Sequence, residues 1–196
     1  MDHRGNTEMS YRFAIQASNP RFLAEFDATD TNLSDAIQTV FPLQTEYAIL
    51  VWNWVYVPLT YKYDLSLMID DVIELIEEMI SNPSGNRTIH WPSNTFASSW
   101  RIEWDGGKTS IDAEWMCVLG DTEAMLALKP KVVLDSSEFI EEWRRPLEVI
   151  AAGLCSAGYN ATNLPGFERL QMVVSKIGRC GTLYHACSLK PADESA

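Results

Sequence analysis

Apolar and polar positions recur along this chain in patterns that assign most of it to elements. Phe13 and Ile15 share one face of a strand expected over 11–17, which Asn19-Pro20 breaks. Phe22, Ala24 and Phe26 alternate with Leu23, Glu25 and Asp27, predicting a second strand antiparallel to the first. A short helix follows through Leu33, Ala36, Ile37 and Val40, capped by Asp30 or Thr31 and closed by Pro42. Residues 47–58, YAILVWNWVYVP, are apolar on both faces, as in one central strand covered on both sides, with Asn53 its single polar interruption. TYKYD then reads as a tyrosine-rich loop.

The helix expected over 65–80 is the clearest element. Leu65, Met68, Ile69, Val72, Ile73, Leu75, Ile76, Met79 and Ile80 fall within an arc of roughly 160°. Asp70, Asp71, Glu74, Glu77 and Glu78 fill an opposite arc of roughly 120°, with no lysine or arginine among them. Asp70–Glu74 and Glu74–Glu78 are like-charge i, i+4 pairs, each mildly destabilising. After a turn at 81–86 and a short strand at 88–91 comes WRIEWDGGKTSIDAEW, residues 100–115. Asp105-Gly106-Gly107 marks a tight hairpin turn. Trp100, Ile102 and Trp104 share a face with Ile111, Ala113, Trp115 and Cys117; Glu103, Asp112 and Glu114 share the other, with Arg101 nearby. Further along, the pattern predicts a strand at 131–134 and a helix from Asp135 or Ser136 to Gly158, kinked at Pro146. A last helix is expected over 166–177. The expected fold is thus α+β: a mainly antiparallel sheet with 47–57 and the 97–118 hairpin central, flanked by amphipathic helices, in one domain over 10–180. Residues 1–9 and 188–196 are expected to be flexible tails.

Composition adds that this is a folding chain: 46% of its 196 residues are hydrophobic and 11% aromatic. No apolar run reaches about 18 residues, so no membrane-spanning helix is expected. The polar N-terminus suggests no secretory signal, and four cysteines are too few for a disulfide framework, which fits a reducing cytoplasm. The net charge is −12, concentrated in the middle: residues 64–142 hold sixteen acids and five bases. Such a field repels nucleic acid and anionic membranes and attracts basic proteins. A helix face that weakens its own helix and carries no bases is better explained by a partner than by folding.

Conventional chemistry is thinly represented. Cys180, His185 and Cys187 offer three zinc ligands without a familiar spacing or a fourth member, so no metal is expected. The same residues lack a nucleophile signature, and carboxylates facing solvent are poor acid–base catalysts. DGGKTS lacks the upstream glycine of a phosphate loop. No cofactor is expected either. An enzyme using Cys180, His185 or carboxylates in a cleft is the alternative to a binding protein.

The stretches NWVYVPLTYKYDLSLMIDDVIELIEEM (53–79) and IHWPSNTFASSWRIEWDGGKTSIDAEW (89–115) resemble bacterial immunity proteins of polymorphic toxin and contact-dependent inhibition systems. The resemblance spans about residues 45–180 and rests on overall pattern, without a short diagnostic motif. It implies a small acidic cytosolic protein, not an enzyme, that binds and occludes one cognate toxin domain, commonly a basic nuclease. Residues expected to meet that partner are Asp70, Asp71, Glu74, Glu77, Glu78, Glu103, Asp112 and Glu114, with Tyr61 and Tyr63 of the tyrosine loop as aromatic anchors; Tyr56 is a further aromatic candidate there.

Overall fold

The computed structural model describes residues 12–178, so the expected tails, Cys180, His185 and Cys187 lie outside the described residues. The fold is α+β, with antiparallel pairing throughout, but the strands form two sheets instead of one. The first joins β1 (Phe13–Gln16), β2 (Tyr47–Trp52) and β3 (Val55–Thr60) in that order. The second joins β4 (Gly85–Ser93), β5 (Phe96–Asp105), β6 (Lys108–Val118) and β7 (Lys131–Asp135). The 100–115 hairpin therefore occupies the middle of its sheet, as the pattern predicts. Its two-residue turn has positive φ at Gly106 and Gly107, which glycine adopts without a steric penalty.

Two sheets arise because 47–58 does not form one strand. The chain reverses at Asn53-Trp54, both at positive φ (46° and 74°), which makes a hairpin of β2 and β3. Asparagine tolerates this conformation; tryptophan rarely does, so the sequence carries no ordinary turn signal. The turn is tied down from outside. The Asn53 side-chain amide donates to the Lys129 and Lys131 carbonyls at 2.8 and 3.0 Å, and its backbone N–H donates to the Arg12 carbonyl at 2.7 Å. Pro58 sits opposite Ile49 in an edge strand, where a missing donor is tolerated. Residues 22–27 are not the expected second strand: β1 pairs with β2, and this segment runs irregularly, with Phe26 against the ring of Tyr159 at 4.9 Å.

The helices are α1 (Leu33–Val40), α2 (Ser66–Ser81), α3 (Glu123–Ala127), α4 (Ser136–Ala157) and α5 (Phe167–Gly178). Asn32, not Asp30 or Thr31, caps α1, accepting from the Asp35 N–H. The tyrosine loop is a π-helical turn, Tyr61–Leu65, that runs straight into α2. Thr60 caps it, and the fully buried Asp64 accepts from the Thr60 N–H and hydroxyl at 2.6 and 2.8 Å, from the Thr95 hydroxyl at 2.7 Å and from the Ser93 hydroxyl. That carboxylate joins the end of β3 to the β4–β5 turn. Helix α3 was not legible in the sequence. Helix α4 runs through Pro146 and stops at Gly158, at φ 101°, with the capping bonds of a left-handed terminus.

The core is one continuous cluster of buried side chains drawn from both sheets and all five helices. At its centre Phe13, Trp52, Trp91, Phe96, Trp100 and Trp115 pack mostly edge to face, Trp52 meeting Trp115 edge-on at 5.1 Å and Trp100 at a tilt at 5.3 Å. The inner face of the hairpin is thus aromatic, as expected, with one exception. Register shifts at Ala97/Ser98, and Met116 is the extra residue of a bulge in β6. Cys117 consequently turns outward and is exposed.

Candidate partner-binding site

Helix α2 buries the stripe expected of it at Met68, Ile69, Val72, Ile73, Leu75, Ile76 and Met79, whereas Ile80, expected on the same stripe, is exposed at the helix end. Each such side chain contributes about 1.5–3 kcal/mol on burial, against about 0.2–0.5 kcal/mol for each like-charge pair on the other face. Packing therefore decides that the helix forms. Its acidic face is not the open surface the sequence suggests. Arg87 projects from the inner side of β4, the side that also carries Ile89 and Trp91, and reaches three of the five carboxylates. It lies 2.9 Å from Glu78 and 3.5 Å from Asp71, and it pairs closely with Glu74. Arg169 of α5 lies 2.6 Å from Glu77 and 3.9 Å from Glu74. Only Asp70 stands outside ion-pair range of an arginine or lysine among the described residues.

The expectation of five carboxylates free in water is therefore corrected. The helix supplies no bases of its own because they arrive from β4, the next element along the chain, and from α5, 92 residues beyond Glu77. Arg87 is only 20% exposed and faces carboxylates that are 40–46% exposed, so the network is half-buried. Hydrogen bonding from Arg87 is the chief reason the Glu74 carboxyl is held below its ordinary range, and the carboxylates in turn raise Arg87 and Arg169.

Tyr61 is also displaced from the expected site. It is fully buried and stacks on Phe41 at 5.2 Å and 19°, so it packs the core and is not an anchor for a partner; burial pushes its phenol up. Tyr63 is half-buried, accepts from the Gln44 amide at 3.2 Å and lies under the Lys62 ammonium. Tyr56 is 61% exposed on β3.

The outer face of the second sheet differs in kind. Asn86, Thr88 and His90 of β4, Ser99, Arg101 and Glu103 of β5, and Asp112 and Glu114 of β6 all lie exposed or half-exposed on it. The register separates the acids that the sequence suggests are stacked. Glu103 faces Ser110, Glu114 faces Ser99, and Asp112 faces Arg101, whose guanidinium approaches to 3.8 Å. Lys108 is held at 2.8 Å by Asp135 of β7. Glu103, Asp105 and Glu114 have no lysine or arginine within ion-pair distance among the described residues. The structure thus divides the expected site: four of the five α2 acids are engaged by arginines of the fold, whereas Asp70, Glu103 and Glu114 are exposed and unpaired. Asp105 shares the Glu103 face by simple alternation.

Among the described residues, no group of three or more His, Cys, Asp or Glu is arranged to hold a metal ion, and no helix is long and apolar enough to cross a membrane. The chain matches no protein-family model, and no curated protein or solved structure is significantly similar to it.

Proposed function

We propose that this chain is an immunity-type binding protein that neutralises a cognate basic toxin domain, a nuclease in the simplest case, in the cytoplasm. One observation supports this reading above the others: the net charge is −12, and carboxylates left unpaired by the fold stand on the outer face of the β4–β7 sheet. A rigid two-dimensional array of this kind suits a macromolecular surface better than a small substrate, and its sign suits a protein that itself binds phosphates. The pattern-level resemblance to immunity proteins points the same way. Inhibition by occlusion needs no catalytic group on this chain. Co-expression with the toxin domain encoded beside it tests the reading. Growth should be restored by the wild-type chain and reduced by reversal of Glu103 and Glu114 to lysine. Rescue by a neighbouring gene product alone, with this chain dispensable, would contradict it.

A further inference from the structure

The β2–β3 turn presents a tryptophan where the backbone favours glycine. A two-residue hairpin turn with both φ positive ordinarily takes Asn-Gly; here Trp54 fills the glycine position at φ 74°. Its ring is 58% exposed and stands outside the core cluster, so core burial does not offset that strain. The turn is nonetheless fixed in place. Asn53 binds the carbonyls of Arg12, Lys129 and Lys131, and the Lys129 carbonyl also accepts from the Trp52 indole N–H at 3.0 Å. The same bonds hold the end of α3 against the turn. That helix buries only Leu126; Met125 is exposed, and the adjoining Leu128 is 82% exposed. Tyr56 stands exposed two residues beyond Trp54. The rim of this apolar patch is basic, in a chain of net −12: Arg12, Lys129 and Lys131 are all exposed. Lys131 faces Asp112 across the β6–β7 pairing, and that carboxylate leans to Arg101. Arg12 and Lys129 have no carboxylate of the described residues within ion-pair distance.

We infer that the Trp54 turn and the end of α3 form a docking surface for an amphipathic segment of a protein partner, one that carries carboxylates beside apolar side chains. An exposed apolar patch with a polar rim suits a macromolecular contact. Aromatic anchors on a preformed turn bind with little left to order. The basic rim selects the occupant. The basic domain proposed for the acidic sheet face meets like charge here, so this surface is separate from that function. Two copies of the chain joined by a two-fold axis set the same cations against each other. A nucleic acid or an anionic membrane meets three cations locally and the field of the net −12 beyond them. A short acidic segment is screened from that wider field over about 8 Å and feels mainly the rim.

The test titrates the full chain with acetyl-Asp-Leu-Glu-Phe-Asp-Leu-Glu-amide at physiological salt and reads amide and indole NMR shifts. The peptide should saturably shift the Trp54 indole and the amides of Asn53, Tyr56 and Leu128. Its counterpart with lysine at every acidic position should leave the Trp54 indole unmoved and bind the acidic faces instead. Trp54→Gly suits the backbone of the turn, so it should melt within a few degrees of wild type and bind the acidic peptide about tenfold more weakly. Arg12→Glu/Lys129→Glu should weaken binding about as much. Its spectrum should report an intact fold, because backbone carbonyls and not these side chains hold Asn53. An unshifted Trp54 indole, an equal effect of the lysine peptide there, or unchanged affinity in either variant would overturn the inference. So would tighter binding at this turn by oligothymidylate or by phosphatidylglycerol vesicles.

Discussion

Arg87 joins elements that the sequence gives no reason to connect. It is the one cation within reach of Asp71 and Glu78 among the described residues, and it shares Glu74 with Arg169. Replacing it with methionine keeps the stem and removes the charge, leaving three half-exposed carboxylates facing one another. Exposed pairs are worth about 0–1 kcal/mol and buried ones several, so Arg87→Met should destabilise by about 1–2 kcal/mol at neutral pH. The pH dependence has a defined sign. The Glu74 carboxyl is lowered in the folded state, so its contribution is present above its ordinary value near 4.3 and is lost as pH falls through the folded value. Urea unfolding of wild type and variant at pH 7 and pH 3.5 should therefore show the difference shrinking in acid. A difference that persists unchanged would assign the effect to lost packing. At this scale the sequence was legible for side chains buried by periodicity and illegible for Arg87 and Arg169, since neither lies on the helix it serves. Tyr61 is illegible for a related reason: TYKYD reads as a loop, and only the π-helical turn carries the ring into the core against Phe41.

At the level of elements, the hairpin, α2, α4 and α5 could be read directly, because their period is regular and their ends carry glycine, proline or capping residues. The β2–β3 hairpin could not. Its turn lacks glycine and depends on the Lys129 and Lys131 carbonyls, which tertiary structure alone brings to Asn53. Strand β4 begins earlier than its side-chain pattern suggests because Gly85 is one of its residues. That glycine is required by its neighbour across the sheet: a Cβ there would lie 2.3 Å from Cζ2 of Trp104, whose indole N–H donates to the Asn82 carbonyl at 3.1 Å. Gly85→Ala should force Trp104 from its place, costing about 1–3 kcal/mol and lowering the melting temperature by several degrees. A loss of near-ultraviolet tryptophan dichroism should accompany it. A melting temperature at or above wild type would show that the ring has room to move.

For the molecule as a whole, the sequence conveys that the chain is strongly acidic and where the acids lie, but not which of them remain available. That distinction comes from register and from bases delivered by other elements. On the α2 face Arg87 and Arg169 engage four of the five carboxylates and leave Asp70; on the sheet face Glu103, Asp105 and Glu114 are left. The central claim is that these sheet-face carboxylates steer and hold a basic partner. Complementary charge acts chiefly on association, and salt screens it over about 8 Å at physiological ionic strength. The most direct measurement is stopped-flow association with the basic toxin domain proposed as its partner, at low and high salt, for wild type and for Glu103→Gln/Glu114→Gln. The account predicts association that slows severalfold in the variant at low salt, with the two proteins converging as salt rises. A variant that associates at the wild-type rate, or a wild-type rate indifferent to salt, would contradict it.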